Sequence, residues 1–173
     1  SGDTNIVLIG QPGVGKTVTL AHLASLAANR SEKLGKHQDS VPFLVHVADL
    51  RLPISNERDV LNPIIDASLE HAPVFDLGRL PGFINNTFKN GRALLLVDGY
   101  DELPPEGQQV ISDYFKILLQ VHPKTCIVTS GAPEYLDGLI NLGFGYGDSP
   151  SFCFSPLVAA ALVHEPFQIG GRC

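Results

Sequence analysis

Basic residues are scarce and scattered: 12 Lys and Arg stand against 18 Asp and Glu, a formal net charge of −6. No segment gathers the cations that a dedicated nucleic-acid surface needs, since affinity there comes mainly from neutralising phosphates. A small anionic ligand is not excluded, because a few oriented amides and one cation suffice to hold it. Cysteine is sparse too. Cys126, Cys153 and Cys173 have no CxxC or Cys/His spacing that would hold zinc, and they read as reduced thiols of a cytoplasmic protein. No apolar run approaches the length of a membrane span, no secretory leader is read at the start, and no membrane contact is expected. The histidines show no HxH or HxxxH pairing, and there is no internal repeat or low-complexity tract.

What is present is a globular composition, 44% hydrophobic and 17% charged over 173 residues, enough for one domain with a real core. Apolar β-branched runs alternate with longer helical patterns, which predicts an α/β fold of parallel strands joined by crossover helices. Strands are expected at 5–9, 42–48, 93–97 and 124–129, with a short fifth at 152–154. Helices are expected over 16–30, 57–71, 77–89 and 105–121. Leu20, Leu23, Ala24, Ala27 and Ala28 share the inner face of the first helix, and Val110, Tyr114, Ile117 and Leu118 that of the last. Residues 31–40 read as a polar linker, and His46, within an apolar run, as a satisfied core residue. The continuously apolar Ala93-Leu-Leu-Leu-Val97 predicts a central strand covered on both faces. Residues 158–173 read as the start of a truncated helical domain or a tail, leaving 1–157 as the core. With Ser1-Gly2 fitting a tag remnant, the chain is expected to be a piece of a larger protein.

Gly10-Gln-Pro-Gly-Val-Gly-Lys-Thr17 follows the first strand and opens the first helix. GxxxxGK[ST] in that context is a P-loop, with a plain Gly-rich turn as the bland alternative. Gly10, Gly13 and Gly15 let bare backbone wrap an anion while N–H groups and the helix N-terminus point at it. The binding set extends over Gln11, Pro12, Val14 and Val18. Lys16 is the candidate for the β- and γ-phosphates, and the Thr17 hydroxyl for a Mg²⁺ position.

A metal partner is expected from the strand at 93–97, which ends in Asp98. This carboxylate is a candidate to share Mg²⁺ with Thr17, directly or through water. Asp101 and Glu102 follow at once, and three acids so close repel unless a cation or water network holds them. Asp101 and Glu102 are candidates to polarise an attacking water as general base, or else acids that cap the helix opening at Pro105. The fourth strand, inserted between the P-loop strand and the Asp98 strand, ends Val128-Thr129-Ser130. Its tip would bring Thr129 or Ser130 near a γ-phosphate.

Taken together these residues resemble the NACHT family of STAND nucleoside triphosphatases, relatives of AAA+ ATPases. The resemblance rests on GQPGVGKT (10–17), LLLVDGYDEL (94–103) and IVTSGAP (127–133), with weaker support from VPFLVHVADLRL (41–52) and FSPL (154–157). It implies a P-loop NTPase three-layer sandwich whose five-stranded parallel sheet runs 5-1-4-3-2. It also implies an ATP/ADP-binding, Mg²⁺-dependent signalling switch that hydrolyses slowly and self-associates, with sensor and effector domains elsewhere in a larger chain. Pro156 would then lie near the adenine. Gly131 stands where the family often has Arg, so a guanidinium sensor at that spot is not expected.

Other nucleotide-handling classes fit these residues less well. A Ras-like GTPase would need an Asn/Thr-Lys-x-Asp element, which is absent, and a small-molecule kinase an Arg-rich lid, whereas 104–126 contains no Arg. A nucleotide-gated scaffold with negligible turnover stays open. An AAA+ ATPase acting on nucleic acid fits the acidic balance poorly.

Overall fold

The computed structural model describes residues 5–9, 15–131 and 137–144. In it the apolar runs pair into one parallel sheet: β1 (Ile6–Ile9), β2 (Val41–His46), β3 (Ala93–Asp98) and β4 (Cys126–Gly131), in the order β1-β4-β3-β2. The described residues form four strands, against the expected five. They keep the succession 1-4-3-2, and the fifth strand expected at 152–154 lies outside the described residues, as does the tail at 158–173.

Side chains alternate across the pleat, so each strand feeds two cores. Leu94 and Leu96 join Ile6, Leu8, Cys126 and Val128 on one face, under Leu20, Leu23 and Ala27 of α1 (Lys16–Ala28). Leu95 and Val97 join Val7, Phe43, Val45 and Ile127 on the other. That face is covered by α2 (Asn62–Glu70), α3 (Leu80–Lys89) and α4 (Pro105–Val121), through Ile64, Ile84, Phe88, Ile111, Phe115 and Leu118. A short α5 (Asp137–Ile140) buries Leu139 on the same side, and the nearby Phe144 stacks on Phe115 with ring centroids 5.8 Å apart. Both faces of β3 are sealed, which is why its sequence reads as unbroken hydrophobicity. No helix among the described residues is long and apolar enough to cross a membrane.

Several boundaries differ from the sequence expectations for identifiable reasons. The first helix stops at Ala28 rather than 30, because Arg30 adopts a left-handed φ of 50°, and Ala28 is exposed rather than inward. Pro63 and Pro81 each sit in the first turn of their helix, where a missing N–H costs nothing, so α2 and α3 start later than the apolar pattern alone implies. Residues 31–40 are no mere linker: a 3₁₀ segment, Glu32–His37, drives Leu34 fully into the core beneath α1. On α4 the inward stripe runs through Ile111 and Phe115, while Val110 faces outward.

Tyr114 fastens α4 to the chain ahead of α2: its buried hydroxyl donates to the Val60 carbonyl at 2.8 Å. Removing that donor leaves a buried carbonyl without it, at a cost of about 1–3 kcal/mol. Tyr114→Phe should therefore lower the melting temperature by about 3–8 °C for a chain of this size. Burial also pushes the Tyr114 hydroxyl above its ordinary pKa. The neutral phenol is the favoured folded form, so its contribution is complete below the unfolded pKa of about 10 and is lost as pH rises above it. Thermal melts of both proteins between neutral and alkaline pH check this, and equal melting temperatures at neutral pH would refute it.

Candidate functional site

The carboxyl ends of the strands share one end of the sheet, and the described candidates other than Thr129 lie there or on the helix start beside it. Gly15 ends the P-loop with φ 89° and ψ 20°, a left-handed conformation that glycine alone adopts without strain. The Gly15 carbonyl accepts from Thr19 N–H at 2.9 Å and from the Thr19 hydroxyl at 3.1 Å, which fixes the first turn of α1. Among the described residues no side chain caps this N-terminus, and its first turn carries no acid. The positive end of a 13-residue helix is thus left for an anion from elsewhere. Lys16 is buried, while Thr17 and Val18 are exposed. Gly10, Gln11, Pro12, Gly13, Val14 and Pro156 fall outside the described residues.

Across the edge, β3 ends at Asp98 and turns through Gly99, at φ 84°, into a 3₁₀ turn, Tyr100–Glu102. Tyr100 anchors this turn to α4 by a buried hydrogen bond between its hydroxyl and Ser112 Oγ at 3.2 Å. Burial raises the Tyr100 pKa and that hydrogen bond partly offsets the rise, so the phenol stays neutral and the anchor is kept.

The turn and β4 are bound by one serine. Ser130 Oγ accepts from Gly99 N–H at 3.2 Å and donates to Asp101 Oδ1 at 3.0 Å. The other carboxylate oxygen, Asp101 Oδ2, forms an ion pair with Lys16 Nζ at 3.0 Å, the two side chains being 11% and 8% exposed. A continuous polar chain therefore runs from the P-loop lysine through Asp101 and Ser130 to the backbone of the β3 turn. Asp98 Oδ1 accepts from Gly99 N–H at 3.0 Å.

The three acids diverge instead of converging. Asp101 turns inward to Lys16 and Ser130, Glu102 is largely exposed, and Asp98 stays at the strand end. Among the described residues no group of three or more His, Cys, Asp or Glu could hold a metal ion. For Asp101 the offsetting cation is the Lys16 ammonium, and the Ser130 hydroxyl donates to its other oxygen. The donor set still fits Mg²⁺ that arrives with a phosphate. Thr17 and Asp98 are hard oxygen donors, and Mg²⁺ commonly takes one or two protein oxygens, with phosphates and water completing its octahedron.

Thr129 does not join the edge. β4 continues to Gly131, which leaves Thr129 inside the sheet at 0% exposure with its hydroxyl donating to Val97 O at 3.0 Å. Of the two expected sensing hydroxyls only Ser130 touches the acidic turn. His46 is corrected as well. It is the last residue of β2, in register with Asp98, and 38% of its side chain is exposed. Its Nδ1 accepts from Ala48 N–H at 3.1 Å and its Nε2 lies 3.6 Å from Glu102 Oε2. The expected strand, 42–48, ran past His46 and hid its place at the strand tip, where the ligands of an open α/β sheet lie.

Among curated proteins the chain finds no match. The family model for the NACHT domain matches residues 4–141, most of the chain and all of the described sheet. The chain belongs to the NACHT family, whose domains are nucleotide-binding NTPase modules.

Proposed function

We propose that this NACHT domain binds ATP or ADP with Mg²⁺ between the start of α1 and the tips of β3 and β4, and hydrolyses ATP slowly. In this reading it is the nucleotide switch, with residues 1–157 as its core, of a larger cytoplasmic signalling chain whose nucleotide state governs self-association. Lys16 and the P-loop amides hold the phosphates, Thr17 and Asp98 hold Mg²⁺, and Glu102 polarises the attacking water. Ser130 and Asp101 link the phosphate site to the β3 turn.

The observation that carries this reading is the Lys16–Asp101–Ser130 chain. A polyphosphate at the α1 N-terminus competes with Asp101 for one ammonium, so nucleotide binding is felt at once by the Tyr100–Glu102 turn. Self-association draws support from the stretch 74–83, where Val74, Phe75 and Phe83 expose half or more of large apolar side chains. The scaffold reading with negligible turnover draws on the same geometry, since both Asp101 oxygens are engaged and only Glu102 is open to a water.

The test is the nucleotide itself. Mass spectrometry of the purified chain should identify ADP or ATP, and titration should show binding at least about tenfold tighter with Mg²⁺ than with chelator, or 1.4 kcal/mol. A guanine nucleotide, or affinity indifferent to Mg²⁺, would contradict the assignment.

A further inference from the structure

We infer that Ser112, on α4, is a positioning residue for hydrolysis: it fixes the turn that presents Glu102, and α5 closes over its hydroxyl at Gly138. This rests on the assignment of Glu102 as the water-polarising acid. Ser112 is a hydroxyl on the buried stripe of α4, beside Ile111 and Phe115. The buried or half-buried hydroxyls of the other helices fold back on their own backbone. Thr19 donates to Gly15 O at 3.1 Å, Ser68 to Ile64 O at 2.7 Å and Thr87 to Phe83 O at 2.8 Å. Ser112 instead reaches out of its helix and meets the buried Tyr100 hydroxyl at 3.2 Å. A second contact keeps it there. A Cβ at Gly138 would lie 2.8 Å from Ser112 Oγ, 3.5 Å from Ser112 Cβ and 3.8 Å from the Tyr100 hydroxyl oxygen. The α5 backbone therefore passes directly over the hydroxyl pair, and only glycine leaves it that room.

The turn is held at its entry by Gly99 N–H on Ser130 Oγ and at its exit by Gln108 Nε2, which donates to Leu103 O at 3.0 Å. Between them, Asp101 is clamped by Lys16 and Ser130. Glu102 is largely exposed and far less restrained, so the backbone of the turn decides where its carboxylate stands. A polyphosphate that draws Lys16 away from Asp101 removes one of these restraints just as hydrolysis begins. The Tyr100–Ser112 bond is buried and uses no phosphate-holding residue, so a nucleotide does not compete for it. Its loss should move the turn, and with it the rate, without moving affinity.

Single-turnover ATP hydrolysis should fall about 10- to 100-fold in Ser112→Ala and in Tyr100→Phe, with affinity within about threefold, the scale of a reacting group misplaced by up to about 1 Å. Melting separates positioning from packing. Ser112→Ala leaves the Tyr100 hydroxyl buried without a partner and should melt lower, whereas the double variant removes both groups and should melt close to wild type. Its turnover should nevertheless stay as low as that of either single variant. Gly138→Ala should also slow hydrolysis, although alanine is the better helix former. Its methyl drives Ser112 Oγ off Tyr100, and rotation toward the Gln108 carbonyl, one turn back in α4, is the open route. In a Ser112→Ala background Gly138→Ala should change nothing further, because the crowded oxygen is gone and the remaining 3.5 Å contact is ordinary.

Wild-type turnover in the double variant, or turnover that tracks melting temperature or affinity across the set, would overturn the proposal. So would a Gly138→Ala defect that persists in full on top of Ser112→Ala, or a wild type with no measurable turnover. If Glu102→Gln is strongly impaired while Ser112→Ala and Tyr100→Phe are not, Ser112 alone loses its role. If Glu102→Gln turns over like wild type, the assignment of Glu102 falls and the proposal with it.

Discussion

Lys16→Ala should cost the protein its nucleotide and part of its stability together. On the binding side, hydrogen bonds to charged groups contribute about 1.5–3 kcal/mol each, so losing the ammonium should weaken ATP binding by about 10- to 100-fold or more. On the folding side, the variant leaves Asp101, 11% exposed, without its cation. Breaking a buried pair from one side costs about 3–5 kcal/mol when nothing compensates. Asp101 retains the Ser130 hydroxyl and some water contact, which brings the expected loss to about 1–3 kcal/mol. Adding Asp101→Asn should restore much of the melting temperature without restoring binding, because the amide needs no cation and the phosphates still lack theirs. ATP titration with calorimetric melting of the two variants checks this. An unchanged affinity would remove Lys16 from the phosphate site, and an unchanged melt would remove the ion pair.

Glu102→Gln should act on turnover alone. A positioned general base contributes about 10²- to 10⁴-fold, so single-turnover hydrolysis should fall by about 100-fold while ATP affinity stays within about threefold. Asp101→Asn should behave differently. Its oxygens hold Lys16 and Ser130, so its loss disturbs binding and the turn before it disturbs chemistry. If Asp101→Asn abolishes turnover at normal affinity while Glu102→Gln does not, the two acids have exchanged roles. If wild type has no measurable turnover, the scaffold reading stands.

How much of this was legible in the sequence divides by range of interaction. The β3 strand ending in Asp98 and the alternation of strands with helices are local patterns, and each recurs in the fold where the pattern put it; of the P-loop, Gly15, Lys16 and Thr17 are described. The β1-β4-β3-β2 order keeps only the 1-4-3-2 part of the implied 5-1-4-3-2, while the NACHT match agrees with the implied family. Helix starts were misread where an apolar pattern ran past a proline, as at Pro63 and Pro81, since periodicity does not register a missing N–H. Leu34 was missed because one leucine in a polar stretch has no periodicity to reveal it.

At the site, spacing placed the three acids correctly in the chain but not in space. Whether Asp101 faces metal, water or lysine depends on a turn fixed by Tyr100 and Ser112, twelve residues apart in sequence. Thr129 and Ser130 differ by one residue and so point to opposite sides of β4. One hydroxyl is closed inside the sheet on Val97 while the other serves Asp101, and sequence alone assigned the strand one end too early to tell them apart. His46 looked like a core residue because its neighbours in β2 are apolar. Its place at the strand tip became visible only with the register against Asp98.

The most direct measurement is a crystal structure of this chain with Mg²⁺ and a non-hydrolysable ATP analogue. The expected result has the Lys16 ammonium moved from Asp101 Oδ2 onto the phosphate oxygens, with the Thr17 hydroxyl and the Asp98 carboxylate serving one Mg²⁺. Phosphates bound elsewhere with Lys16 still on Asp101, or a Mg²⁺ that neither Thr17 nor Asp98 approaches, would contradict it.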